Sequence, residues 1–569
     1  MIRKRQVLFL QLPALDNDVH GAHENIPLAG IYLRYAVEAS AAAQRFETGF
    51  LPPEADAWDT AALAREIVDR RPDVIAATLY LWNVERTLRL LRRVRQRLPG
   101  VAVVVGGPEA AAEHPLIFRS GVADAVAVGE GEAVFPAILD ALGEKTTTDL
   151  GGVAWRRGGR YAWGRRAAPA VDLRRAVPPA DYAALQPDAR GTAYIETTRG
   201  CPLRCSFCRY HHRRRAMSFL PPADVARRVA LFAARGAREF KFTDPTFNAH
   251  PQFEHVLRRI GAANRDRRLS FFAELRADQL TEKAADLLAA ANFTEIEVGL
   301  QSTDPRVLRA IRRPGRVAAV QEGVRRLTRR GINVTLDVMY GLPRQTAADV
   351  TRAMEWGLGE DRVTVQGLQT LLLPGTDLRR EAAAWGMSAT ALPPYGVLAT
   401  ATLSQREMRA IEEYIARTPA LPADSPAERY AGRRLPDLFP ERVGADLGGT
   451  APPARAPGSQ NRRAVILAGG DLYGRRQRIV GVVRRAATQD PDMLWQFVLA
   501  PEAEEPLDLI DAVAAELRRQ RRHLLDRYAN TLLTGRRSAR RVFLQLQPGR
   551  RYDASWVAAA EELLASMFY

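Results

Sequence analysis

All three cysteines of this 569-residue chain fall within eight positions, Cys201, Cys205 and Cys208, in the string Arg-Gly-Cys-Pro-Leu-Arg-Cys-Ser-Phe-Cys. Three thiolates on one tight loop suit three irons of a [4Fe–4S] cluster and leave the fourth iron open to a ligand that is not cysteine. A structural zinc site asks for four protein ligands, ordinarily spaced as two separated pairs, and here His211 or His212 would have to complete it. The run Ala193-Tyr194-Ile195-Glu196-Thr197 ahead of the cysteines is rich in β-branched and aromatic residues and reads as a strand. Gly200 then lets the backbone turn closely around an inorganic group.

Spacing and position together resemble the signature of the radical S-adenosylmethionine (SAM) enzymes, in which the amino and carboxylate groups of SAM fill the open iron. Relatives that carry an auxiliary cluster, the tRNA methylthiotransferases among them, need further cysteines, and none remain in this chain. A disulfide framework would consume the cluster ligands, so a reducing cytoplasm is the expected location.

The elements that must position this loop come in two series. From residue 5 to about 145, strand-like runs at Val7–Leu10, Val74–Thr78, Val101–Val105 and Ala125–Val128 alternate with helical periodicity. That pattern predicts a doubly wound parallel sheet, a Rossmann-like α/β unit whose ligands bind outside the strand C-termini. At those ends stand Thr78, Tyr80, Trp82 and Asn83, then Gly106, Gly107 and Glu109, then Gly129, Glu130 and Glu132. The glycines allow close backbone approach to a bulky cofactor, and the carboxylates can accept hydrogen bonds from its amides. In this order the motifs resemble the cobalamin-binding domain of the B12-dependent radical SAM proteins, with Ile26 and Pro27 before the first helix fitting the same resemblance. Asp18 and His20 give the first half of a cobalt-ligating Asp-x-His-x-x-Gly motif, but His23 stands where glycine belongs. The expectation is therefore cobalamin with no histidine ligand, its lower face covered by the loop around Leu79 to Asn83.

From 190 to about 385 the strand-then-helix pattern repeats and predicts a partial parallel barrel with its cofactors at the strand C-termini. Successive strand ends carry Thr243 and Asp244, then Glu274 and Arg276, then Gln301 and Ser302, then Asp337, Tyr340 and Pro343. Side chains alternate along a strand, so about half of these polar groups face inward. The series resembles the radical SAM core. By that resemblance Thr243 and Asp244 stand where the family contacts the SAM amino group, in place of a common Gly-Gly-Glu. Gln301 and Ser302 match positions near the ribose, and Tyr340 to Pro343 match the segment beside the adenine. Glu274 is the expected catalytic carboxylate, able to bind SAM, act as a base or occupy the open iron; the bland alternative is an ion pair with Arg276.

Residues 146–189, irregular and rich in Arg, Gly and Pro, read as a hairpin and linker, and 386–569 as a mainly helical substrate-side domain with a mobile loop at 447–460. A long amphipathic helix is expected over Asp508–Leu533, its arginines solvated or receiving a substrate carboxylate. Asp553 is placed to cap the last helix, and Tyr552, Trp556 and Tyr569 to pack together.

Net charge is +17, yet only four of the 82 basic residues are lysines, and the arginines are spread along helical faces. Such a bias reflects composition and solvated faces better than a nucleic-acid site. No apolar run approaches the roughly 18 residues of a membrane-spanning helix, and the N-terminal apolar stretch is too short for a signal peptide.

The resemblance covers residues 5 to about 380 and implies a methyltransferase that moves a methyl group from SAM by way of methylcobalamin to a carbon of a small-molecule or peptide precursor in secondary metabolism, antibiotic biosynthesis included. An external electron donor and a monomeric chain are expected with it. The tryptophan 2-C-methyltransferases share the general layout, including the absent cobalt histidine and the barrel glutamate. A B12-dependent cyclase or oxidative rearrangement enzyme, and a cobalamin-binding sensor with a structural cluster, are the alternatives.

Overall fold

The computed structural model describes residues 3–15, 25–147, 149–165, 171–210, 217–418, 430–435, 438–439, 441–445, 447, 460–520, 523–527 and 539–566. Three parallel sheets organise them.

In the first, Arg5–Leu10, Phe46–Phe50, Val74–Thr78, Ala102–Gly106 and Ala125–Ala127 run parallel, with Arg5–Leu10 between Phe46–Phe50 and Val74–Thr78. The middle strand Val74–Thr78 is buried along its whole length, because helices cover both faces of the sheet. Reversal of strand order at Arg5–Leu10 opens a crevice at the C-terminal ends, where doubly wound sheets take their ligands. The hairpin Val153–Arg157 and Arg160–Trp163 extends this sheet antiparallel from Ala125–Ala127. The hairpin expected within 146–189 is thus present and joins the first sheet, where the apolar run Val153-Ala154-Trp155 is paired and buried.

The second sheet holds six parallel strands in sequence order: Thr192–Ile195, Glu239–Phe242, Ser270–Leu275, Phe293–Gln301, Asn333–Tyr340 and Val363–Gln369. This is the expected partial barrel. Outward-facing Phe271, Ala273 and Leu275 are buried beneath helices, leaving Glu274 and Arg276 on the inner face. The core runs past residue 385: Val397 and, on the helix Gln405–Arg417, Met408, Ile411 and Ile415 belong to it. The barrel unit therefore ends near Arg417, because the apolar stripe of that helix packs on the barrel wall.

The C-terminal third contains the expected helices, at Arg476–Gln489, Asp508–Arg519 and Ala554–Ser566. They pack on a five-stranded parallel sheet that corrects the expectation of a mainly helical domain. Its central strands Arg462–Gly469, Leu494–Pro501 and Arg540–Gln545 are short apolar runs buried on both faces. The Asp508 helix ends at Arg519, well before Leu533. Asp553 caps the last helix through the Ser555 amide (2.8 Å), and Tyr552 stacks on Trp556. Most of 447–460, and Tyr569, lie outside the described residues.

This third unit docks on the helices Thr60–Arg70 and Val84–Arg97 of the first. Arg89 grips Asp492 through two nitrogens, Arg93 donates to the Gln489 carbonyl, Arg527 pairs with Glu85, and Asn461 bonds the Ala57 and Asp56 carbonyls. Part of the arginine face expected to be solvated is therefore an internal seam.

Candidate functional site

The cysteine loop leaves and rejoins the barrel through a short antiparallel pair, Thr198–Arg199 against Ser218–Phe219. Gly200 turns the chain with φ of +97°, a left-handed conformation that favours glycine. Asp244 anchors the approach: its Oδ1 accepts the Thr197 and Thr198 amides at 2.7 and 2.9 Å, and its Oδ2 accepts the Thr197 hydroxyl. Midway, the Ser206 amide donates to Ile311 and its carbonyl accepts from Leu378. The loop is thus held by four separate elements. Burial pushes the Cys205 and Cys208 thiols up, Cys208 to about 12, and the Arg313 guanidinium, 3.8 Å from Cys205 Sγ, opposes the rise at Cys205. Iron bound at this loop would supply the positive charge that thiolates buried here need. Among the described residues, no three Cys, His, Asp or Glu side chains surround a single ion position. His211 and His212 lie outside the described residues.

The crevice of the first sheet collects the residues expected around cobalamin. Tyr80 and Trp82 stack at 4.4 Å with their rings within 9° of parallel, and Trp82 keeps 43% of its surface exposed. Asn83 shapes their loop from within, accepting the Tyr80 amide and donating to the Leu12 and Thr78 carbonyls. Ile26 packs on the barrel core and Pro27 precedes the helix Leu28–Glu38. Gly107, at φ +100°, lets the backbone pass so near Leu79 that a Cβ would fall 2.8 Å from its carbonyl oxygen. Gly129, at φ +101°, faces open space, the cradle a large ring would need. His20 and His23 lie outside the described residues.

Three carboxylates expected to face cobalamin are engaged elsewhere. Glu109 is buried against His114 Nε2 (2.9 Å) and the Tyr395 hydroxyl (3.0 Å). Glu130 and Glu132 approach Arg199 at 3.8 and 2.9 Å, and Glu196 chelates the same guanidinium at 2.7 and 2.8 Å. Burial works against that charge, but Glu196 and Glu132 outweigh it and hold Arg199 more firmly protonated than usual.

Inside the barrel, Glu274 sits opposite Glu297 in register, and Gly299, two residues on, opposite Asp337. Their shared face gathers three carboxylates. Burial, then Glu297 and Asp244, push Glu274 up to about 8; burial also raises Glu297, and burial with Glu297 and Glu274 raises Asp337 well above the usual range. Arg276 does not pair with Glu274: it forms a two-pronged ion pair with Asp278 at 2.9 and 2.5 Å. The strand bulges at Gly299–Gln301 and leaves Gln301 left-handed at φ +68°, with its buried Oε1 unbonded. Such local strain gathers at ligand sites. Ser302 caps the next turn through the Asp304 amide, Thr243 is exposed at its strand end, and Tyr340 and Pro343 are buried beside Gly341. An unbonded Gln301 oxygen, a buried Asp337 Oδ1 and raised carboxylates fit a ligand with a cationic, hydrogen-bond-donating portion, as SAM has.

Sequence reasoning missed Arg199, Arg209, Arg313, Thr246 (3.4 Å from Cys201 Sγ) and Tyr395. For the two arginines flanking the cysteines, proximity in sequence was the available signal.

Residues 33–139 match the B12 binding domain model and residues 195–357 the radical SAM superfamily model. Over 313 residues the chain is 30% identical to 2-(S-pantetheinyl)-carbapenam-3-carboxylate methyltransferase of Streptantibioticus cattleyicolor, covering 48% of this chain and 43% of that protein. It is 28% identical to the cobalamin-dependent radical SAM methyltransferase TokK of Streptomyces tokunonensis, covering 51% and 44%. The matches thus span less than half the length of these two relatives. The radical SAM methyltransferase TsrM from Kitasatospora setae, solved with tryptophan and a SAM analogue, shares the fold at a TM-score of 0.53 and 20% identity, over 69% of this chain and 80% of that one. The chain joins a B12 binding domain to a radical SAM domain and is homologous to the cobalamin-dependent radical SAM methyltransferases.

Proposed function

We propose that this chain transfers a methyl group from SAM, by way of cobalamin, to a carbon of a small-molecule precursor in secondary metabolism. The observation that carries this reading is the meeting of two sheet ends: the B12 binding domain, through the loop at Ala110 and the helix start at Glu132, contacts Arg209 and Arg199, which bracket the cysteines. When bound, the cofactors supply methyl carriage and reductive SAM cleavage, the hard chemistry of the reaction.

The chain's own residues hold and screen. Cys201, Cys205 and Cys208 ligate the cluster, and Arg313 offsets its negative charge. Gln301 and Asp337 accept hydrogen bonds from SAM, and Thr243 lies at the same barrel mouth. Glu274 holds a proton near neutral pH and can donate it at the acceptor, becoming a proton acceptor only as pH rises through about 8. The stacked rings of Tyr80 and Trp82 would form the floor of the corrin site.

The test is anaerobic incubation of reconstituted protein with reductant, cobalamin and methyl-labelled SAM. Label in the corrinoid fraction and then in product is the expected result. Tryptophan and carbapenam carboxylates are the first acceptors to try, since proteins similar to this one are named for, or solved with, those molecules. 5′-Deoxyadenosine without label transfer would favour a rearrangement enzyme, and neither product would favour a sensor.

A further inference from the structure

We propose that Arg199 and Arg209 act as two struts that set the separation between the cysteine loop and the corrin-binding loops. This positioning role rests on the cofactor assignment above. Arg199 stands two residues before Cys201, and Arg209 directly follows Cys208. Both reach out of the barrel into the B12 binding domain, at the ends of different strands.

The Arg199 guanidinium fills a socket of three carboxylates, Glu196 from its own domain and Glu130 and Glu132 from the start of the helix Gly131–Gly143. All four side chains are more than four-fifths buried. Without the cation, the acids would face one another across the domain boundary, a repulsive arrangement in a setting of low polarity. The socket therefore closes on arginine and opens without it.

Arg209 works at the other end of the loop. Its Nη1 donates to the Pro374 carbonyl at 2.8 Å and its Nη2 to the Ala110 carbonyl at 3.1 Å, joining a barrel loop to the loop after Ala102–Gly106. Gly375 makes room for it: a Cβ there would lie 1.7 Å from Arg209 Nη1. Two planar forks of fixed shape thus pin each end of the loop to the corrin side, and lysine, a single point charge, could not span either set of partners. Group transfer between two cofactors is sensitive to displacements of about 1 Å, so fixing this spacing has catalytic value.

The experiment measures the magnetic dipolar coupling between the reduced cluster and bound cob(II)alamin in the full chain. Wild type is expected to give one narrow coupling. Arg199→Met and Arg209→Met should broaden or shift it while iron content and cob(II)alamin binding stay within about twofold and methyl transfer falls about tenfold or more. Arg199→Lys should recover only part of the narrow coupling. Should the double arginine variant fail to take up iron, Glu130→Gln/Glu132→Gln, which leaves the cysteine loop's own sequence intact, serves in its place and should broaden the coupling likewise. An unchanged coupling in the loaded double variant, or in the glutamine pair, overturns the proposal. A wild type that shows neither paramagnet refutes the cofactor assignment itself.

Discussion

The phenol of Tyr395 donates to Glu109 Oε2 at 3.0 Å although 286 residues separate them, and His114 Nε2 lies 3.0 Å from the same phenol. All three side chains are buried, so the cluster locks the loop after Ala102–Gly106 to the end of the barrel unit. Tyr395→Phe should cost about 1–2 kcal/mol, and Glu109→Ala more, because it strands two buried polar partners. Urea unfolding of both variants should give that ranking; a Glu109→Ala protein as stable as wild type would refute the lock.

Asp244 should make stability depend on pH in an unusual direction. Burial raises its carboxyl to about 7, against the pull of the hydrogen bonds from Thr197 and Thr198. A carboxyl raised in the folded state contributes stability that is fully present below its ordinary value, near 4, and is lost as pH rises through about 7. Asp244→Asn should flatten that slope in unfolding measurements between pH 4 and about 8. Asp244→Ala should also release the Thr197–Thr198 turn and lower the iron bound per chain.

The same sign holds for Glu274, raised to about 8 chiefly by burial. Its protonated form is favoured on folding, so its contribution declines as pH climbs from about 4.5 toward about 8. Glu274→Gln should abolish the limb of the pH–rate profile near 8 and slow methyl transfer about tenfold or more, on the usual scale for a general acid or base. A variant that keeps the limb would remove Glu274 from the chemistry.

Two glycines with nearly equal φ should respond differently to alanine. At Gly107 the new methyl meets Leu79 backbone atoms at 2.8 and 2.9 Å; at Gly129 it meets nothing within 4 Å. Gly129→Ala carries only left-handed strain, about 1–2 kcal/mol, whereas Gly107→Ala must also move a strand end. The open space at Gly129 is the expected cradle of the corrin ring, so cobalamin titration should show a clear loss of affinity in Gly129→Ala, whereas Gly107→Ala should lose folding stability first; an affinity unchanged in Gly129→Ala would place the ring elsewhere.

Both parallel sheets ahead of residue 380 were legible because short apolar strands alternated with amphipathic helices, a pattern few other folds produce. The third sheet used the same code in Ala464–Leu467, Trp495–Leu499 and Val542–Leu544, but brief apolar runs do not by themselves distinguish a buried strand from a helix. The cysteines announced their chemistry through spacing. The roles of Glu109, Glu130 and Glu132 did not, because an acid at a strand end has the same local sequence whether it greets a ligand or an arginine from another domain. Only the fold brings Arg199 to Glu132, and only burial turns Asp244 from a presumed ligand contact into the peg of the Thr197 turn.

The bonds that seat the third unit fall on residues 56–93 of the first, beside the loop that carries Leu81 and Trp82. A change at this seam therefore reaches the stacked Tyr80–Trp82 pair before it reaches the barrel.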